Sequence, residues 1–143
     1  MLKALGSGLL GACALTLIHE AARRYLDDAP RMDVLGMRAL SKTMRAVEVE
    51  PPIGLHEAAL VGDIVSNSLY YSLVGAGDRR EALRNGALLG LAAGLGAVFL
   101  PEPLGLGRQP TESTRTQLMT VAWYLAGGLA AGAAYGALAS DDD

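Results

Sequence analysis

Four stretches of this chain are apolar and nearly free of charge, and the polar segments between them hold most of the ionisable side chains. The last stretch, over 117–139, carries no charged residue, and neither does the third, over 85–101. A helix needs roughly 20 apolar residues to cross a bilayer. An amphipathic helix of a water-soluble bundle would show charges along one face, which these two segments lack. The first stretch, over 2–20, runs on as a more polar helix through Arg24. The second, over 53–75, is the least apolar because it carries Asp63 and Asn67. The pattern predicts an all-α bundle of four transmembrane helices forming one integral membrane domain over 1–143. Gly8-Leu9 to His19-Glu20 matches Gly90-Leu91 to Pro101-Glu102 in its small and apolar positions, a weak internal repeat that favours an even number of spans.

The N-terminus has a competing reading. Met1-Leu2-Lys3 followed by an apolar run resembles a signal peptide, and Leu10-Gly11-Ala12-Cys13 approximates a lipoprotein cleavage box. The residues after Cys13 stay apolar through Ile18, which favours a retained span.

Between the first two spans the period changes. Val34, Met37, Leu40, Met44 and Val47 recur at helical spacing, with Arg38, Ser41, Lys42 and Arg45 on the other side. This predicts an amphipathic helix over 33–48, with Asp33 as its N-cap and Pro51-Pro52 as its end. Such a helix lies in the membrane interface or packs on the bundle as a lid.

Glycine sharpens the membrane reading. There are 18 among 143 residues, and they sit inside the apolar runs, where they let helix backbones approach. Gly86, Gly90 and Gly94 repeat every four residues in the third span, as do Gly128, Gly132 and Gly136 in the fourth, a glycine-zipper pattern. Ser7–Gly11 and Gly8–Ala12 form a shorter version in the first. These faces predict close packing inside one protomer, with a homo-oligomer contact as the alternative. Trp123 and Tyr124 stand near one end of the fourth span, as interfacial aromatics do.

Charge sets the orientation. The first loop holds Arg23, Arg24, Arg31, Arg38, Lys42 and Arg45, and the third adds Arg108 and Arg115. Lys3, Arg79, Arg80 and Arg84 lie on the opposite side. The positive-inside rule then predicts cytoplasmic first and third loops and external termini, in a membrane such as a bacterial inner membrane. Arg23, Arg24, Arg38, Lys42 and Arg45 are suited to anionic lipid head groups, so membrane lipid is an expected partner. Without a basic tract interleaved with aromatics, nucleic acid is not. A lone Cys13 excludes an intrachain disulfide.

Candidate chemistry gathers at one end of the bundle. His19 and Glu20 end the first span, and His56 and Glu57 begin the second. Two antiparallel spans joined by one loop bring these pairs to the same face. On the second span His56, Asp63, Asn67 and Tyr70 are spaced by seven, four and three, which places them on one helical face. Cys13, Thr16 and Glu20 share a face of the first span that can look at this stripe. An ionisable side chain inside a span is a functional hypothesis by default.

Three readings compete. In the first, Asp63, Asn67, His56 and Tyr70 form a path that binds or transports a small ion or a polar or lipid ligand. In the second, His19, Glu20, His56 and Glu57 hold zinc or iron in a metal-dependent membrane enzyme. Neighbouring residues on a helix point about 100° apart, and the H-E-x-x-H spacing is lacking. Haem held between His19 and His56 is a minor variant. In the third, the protein is a structural or scaffolding membrane protein whose polar groups satisfy one another. No nucleophile with a positioned base, phosphate loop or dinucleotide fingerprint is present.

Overall fold

A computed structural model describes residues 1–50 and 53–139. Five α-helices and two short 3-10 turns account for the fold, and no strand occurs among the described residues. The helices are α1 (Leu2–Tyr25), α2 (Met32–Ala46), α3 (Leu55–Tyr71), α4 (Ala82–Phe99) and α5 (Thr114–Leu138). The 3-10 turns are Ser72–Ala76, which continues α3, and Arg79–Glu81, which leads into α4. Three helical stretches are long and apolar enough to cross a membrane: Leu2–Tyr25, Arg79–Phe99 and Thr114–Leu138. The α-helical part of the expected second span is only 17 residues long, because its last turn tightens into 3-10 geometry. Three of the four expected spans are thus helices long and apolar enough to cross a membrane, and α3, the expected second span, falls short of that length.

Local signals set the helix ends. Ser113 and Thr116 form a reciprocal capping box at the start of α5, with Ser113 Oγ accepting from the Thr116 N–H at 3.2 Å and Thr116 Oγ1 accepting from the Ser113 N–H at 2.7 Å. The Asp78 carboxylate caps the turn before α4, accepting from the Arg80 N–H at 3.0 Å. Arg23 and Arg24 close the last turn of α1, where the helix dipole favours cations. Asp33 does not cap α2 as expected. The helix begins one residue earlier, and Asp33 sits in its first turn, gripped by Arg31 through two bonds of 2.9 and 2.8 Å. The Arg31 guanidinium holds the Asp33 carboxyl below its usual range. Pro51 and Pro52, read as the end of that helix, lie outside the described residues.

The packing is inside-out. Small residues fill the interior: Ser7, Gly8, Gly11 and Ala12 on α1, Gly86, Gly90 and Gly94 on α4, and Gly127, Gly128, Ala131 and Gly132 on α5. Large aliphatic side chains point outward from every long helix, among them Leu9, Leu10 and Leu17 on α1 and Leu83, Leu88 and Leu95 on α4. On α3 and its 3-10 continuation, Val61, Val65, Leu69 and Leu73 form an exposed stripe at four-residue spacing. In water so much exposed apolar surface marks a binding or membrane-facing region.

The tightest contact joins α4 to α5. A methyl group at Gly86 would strike the Gly128 carbonyl oxygen, one at Gly90 would come within 2.6 Å of the Tyr124 carbonyl oxygen, and one at Gly132 within 2.5 Å of that of Ala82. Gly136, expected to extend the same face, has nothing within 4 Å. On the other side of α5, Gly11 of α1 meets Gly127 and Ala131, and Gly8 meets Ser68 and Ser72. The sheet-like order of contacts is thus α4, α5, α1, α3, with α2 laid against α3.

The first and third loops lie together. The Arg31 N–H donates to Gln109 Oε1 at 2.6 Å, Thr111 Oγ1 donates to the Ala29 carbonyl at 2.8 Å, and Arg115 pairs with Asp28 at 2.6 Å. Arg38 donates to the carbonyls of Leu106 and Arg108, at 3.1 and 2.7 Å, and Lys42 donates to that of Leu104. Basic side chains read as lipid-facing therefore also clasp the α4–α5 loop, which holds α2 down as a lid.

Candidate functional site

Where α1, α2 and α3 meet at the loop end, a cavity of about 50 Å³ opens between them. Its wall repeats one geometric rule. From α1 come Thr16, His19, Glu20 and Arg23, and from α3 come His56, Ala59, Leu60 and Asp63, each a set spaced three, four and seven residues from its first member. That spacing marks a single helical face. Pro30, Met32, Asp33 and Gly36 roof it from the start of α2. On α3, Asp63 lies roughly 10 Å along the axis from His56, at 1.5 Å per residue.

The His19 ring is fixed by aromatic contacts. Its centroid lies 5.3 Å from that of Trp123 and 5.7 Å from that of Tyr124, the latter edge-on. Tyr124, expected at the membrane interface, is instead buried in the core with Leu15, Tyr71, Val74 and Ala131. Two atoms stand out on this wall. His19 Nε2 and Thr16 Oγ1 are both buried and make no hydrogen bond. Native interiors pair nearly all such groups with protein or with ordered water.

The carboxylates differ in their partners. Glu20 accepts from Arg23 at 2.7 Å, and Asp33 is held by Arg31. Asp63 accepts from the Asn67 side-chain amide at 2.9 Å, within its own helix. No arginine or lysine pairs with Asp63 among the described residues.

The expected stripe of His56, Asp63, Asn67 and Tyr70 is thus divided. His56 and Asp63 line the cavity, and Asn67 supports Asp63 from behind. Tyr70 turns away, its hydroxyl donating to the Leu89 carbonyl of α4 at 3.0 Å. The next residue, Tyr71, donates to the Tyr124 carbonyl of α5 at 2.7 Å. These two tyrosines bridge the bundle beyond Asp63.

The metal constellation is not assembled. His19, Glu20 and His56 border the same cavity, but Glu57 does not; its carboxylate folds back beside Gly54 at the start of α3. Among the described residues no three His, Cys, Asp or Glu side chains group as a metal ion requires. Of the basic residues assigned to head groups, Arg23 is engaged by Glu20, Arg38 and Lys42 hold the α4–α5 loop, and Arg24 and Arg45 remain exposed.

Thr16 was legible as part of the α1 face. Its lack of a partner was not, because that depends on how α2 and α3 close around the cavity it lines. Met32, Pro30 and Gly36 reach the site only through the fold of the first loop, and no periodicity in the sequence points to them.

Comparison with protein-family models, with curated proteins and with solved structures finds no match to this chain.

Proposed function

We propose that this is a four-span membrane protein that binds a small ion or polar group in the cleft between α1, α2 and α3. The observation that carries the proposal is the pair of buried, unpartnered atoms, His19 Nε2 and Thr16 Oγ1, on the wall that also presents Asp63. Such atoms call for a partner, and water or a ligand can supply it.

Several observations support α3 as the fourth span. With its 3-10 continuation it covers about 35 Å, from 17 residues at 1.5 Å and five at about 2 Å. It runs beside α1 over its length. Gly75 meets Ala4 at one end, Gly8 meets Ser68 and Ser72 about one turn further along, and the cleft lies at the other end. The exposed Val61, Val65, Leu69 and Leu73 stripe suits lipid. The shared end of the first and third loops, rich in Lys and Arg, favours cytoplasmic loops and external termini in a membrane such as a bacterial inner membrane. Arg24 and Arg45 are the basic residues best exposed to meet anionic lipid head groups there.

Binding is favoured over conduction. Beyond Asp63 the tyrosine bridges to α4 and α5 close the way along α3. The test is thermal unfolding of wild type and Asp63→Leu in detergent, with and without a panel of small ions and polar head-group analogues. A ligand that binds the folded state raises the melting temperature. The reading expects wild type to respond and Asp63→Leu to fold at least as well but lose the response. A variant that unfolds far more easily, with no ligand response in wild type, would show Asp63 to be a structural residue in a scaffold.

A further inference from the structure

We propose that the cleft is an ammonium site, built to receive the –NH3⁺ group of a primary amine. This deepens the binding reading above and rests on it.

The argument is one of missing donors. The cleft wall carries three carboxylates and one arginine. Arg23 is taken by Glu20, and Arg31 reaches Asp33. Asp63 is left with a neutral amide as its hydrogen-bonding partner. The same wall carries His19 and Thr16, with a histidine nitrogen and a hydroxyl oxygen that have no partner. A carboxylate, an imidazole nitrogen and a hydroxyl can all accept hydrogen bonds. An alkylammonium offers three donors, no acceptor and a positive charge, which no arginine or lysine supplies to Asp63 among the described residues.

Other occupants fit less well. An anion would face carboxylates whose neighbouring arginines are already committed. A transition metal would need a group of ligands that is not assembled among the described residues. A hard alkali or alkaline-earth ion prefers oxygen all round and gains little from the imidazole nitrogen. A neutral polar molecule would leave the Asp63 charge without compensation, which is costly away from water.

Size fits the same class. A water needs about 10–15 Å³ of such a cavity, which holds about 50 Å³. The space takes roughly three to five water-sized groups, an ammonium with two or three further heavy atoms, so the rest of a larger amine must lie outside. Because the cleft sits at the loop end of the spans, the amine can belong to a lipid such as an ethanolamine head group or to a free amine. The recognising chemistry is the same.

The experiment observes the His19 imidazole directly. Wild-type and Asp63→Asn proteins, labelled with 15N-histidine, are placed in nanodiscs of phosphatidylcholine and phosphatidylglycerol, neither of which has an ammonium N–H. Methylammonium is titrated in, with sodium and phosphate as parallel probes. The proposal expects a saturable shift of the His19 ring resonances with methylammonium alone, weakened about tenfold or more by Asp63→Asn through loss of a charged hydrogen bond. If a lipid is the source, exchanging phosphatidylglycerol for phosphatidylethanolamine produces the same shift without added amine. With a free amine as the source, that exchange leaves His19 unmoved. Asp63→Asn binding methylammonium as well as wild type overturns the ammonium assignment. A saturable shift with phosphate or sodium in place of methylammonium also overturns it, while leaving the cleft a binding site. No shift with any probe removes both readings.

Discussion

The α4–α5 contact and the α1–α2–α3 junction are made by the same chain under opposite rules. Between α4 and α5, glycines bring backbone against backbone, and a methyl group at Gly86, Gly90 or Gly132 would meet a carbonyl oxygen of the facing helix. At the junction the helices part enough to leave a cavity, and Thr16, His19, Glu20, Arg23, Asp33, His56 and Asp63 put polar side chains on its wall. Without a hydrophobic drive between helices in lipid, cohesion comes from close van der Waals contact and from hydrogen bonds. The first region uses contact alone. The second gives up contact and leaves two buried polar atoms without partners, the feature on which the proposed binding site rests.

The largest effect should come from breaking the close-packed side. Gly132→Leu places a side chain against the backbone of Ala82 and Leu83, where no side-chain movement relieves the clash. Overpacking typically costs about 1–3 kcal/mol and more against rigid backbone, so the variant should unfold at clearly lower denaturant or fail to fold. Gly136→Leu, one turn further along with open space around it, should change stability by less than about 0.5 kcal/mol. Equal damage from both would mean that the α4–α5 contact is not the one described.

Tyr71→Phe probes the boundary between the two regions. Its hydroxyl is fully buried and bonded to the Tyr124 carbonyl. Removing it should cost about 1 kcal/mol, read as a fall in unfolding midpoint. Tyr70→Phe, whose bond to Leu89 is only partly buried, should cost less.

A smaller effect concerns the lid. Asp33 is half-buried beside Arg31, and its carboxyl is held below the ordinary value by that guanidinium. A depressed carboxyl contributes stability that is fully present above its unfolded pKa, about 4, and is lost as pH falls through the lower folded value. Wild type should therefore lose stability in that acid window, and Asp33→Asn should lose less there. At neutral pH the variant should be less stable by about 0.2–1 kcal/mol, as for a solvent-accessible pair. Identical acid profiles for the two proteins would remove the Arg31–Asp33 pair from the account of how α2 is held.

The same contrast explains what could be read from the chain. The close-packed side was legible because its signal is local: Gly86, Gly90, Gly94 and Gly128, Gly132 stand at fixed spacing inside charge-free runs. The helices follow those runs closely, and α1 extends past Arg24 to Tyr25 as its polar continuation implied. Gly136 shows the limit, since spacing alone does not say whether a partner helix reaches that far. The junction was legible only in part. Helical spacing placed His56 with Asp63 and Thr16 with Glu20. It also placed Tyr70 in the stripe, although its long side chain reaches Leu89 of the neighbouring α4 instead. The roof over the cavity depends on Arg38, Lys42, Gln109 and Thr111 joining two loops distant in sequence. Nothing periodic records such contacts. The expected second span, over 53–75, is α3 with its 3-10 continuation, and hydropathy does not register where an α-helix tightens into a 3-10 turn.

Everything proposed for the cleft depends on α3 lying in lipid beside α1. Spin labels at Val61, Val65, Leu69 and Leu73, introduced one at a time as cysteines in a Cys13→Ala background, read this directly in nanodiscs. Collision with oxygen, which concentrates in the bilayer, should be high along the stripe, and collision with a water-soluble nickel chelate should be low at Val65 and Leu69. High nickel accessibility at all four positions would put this face of α3 in water and contradict the four-span account.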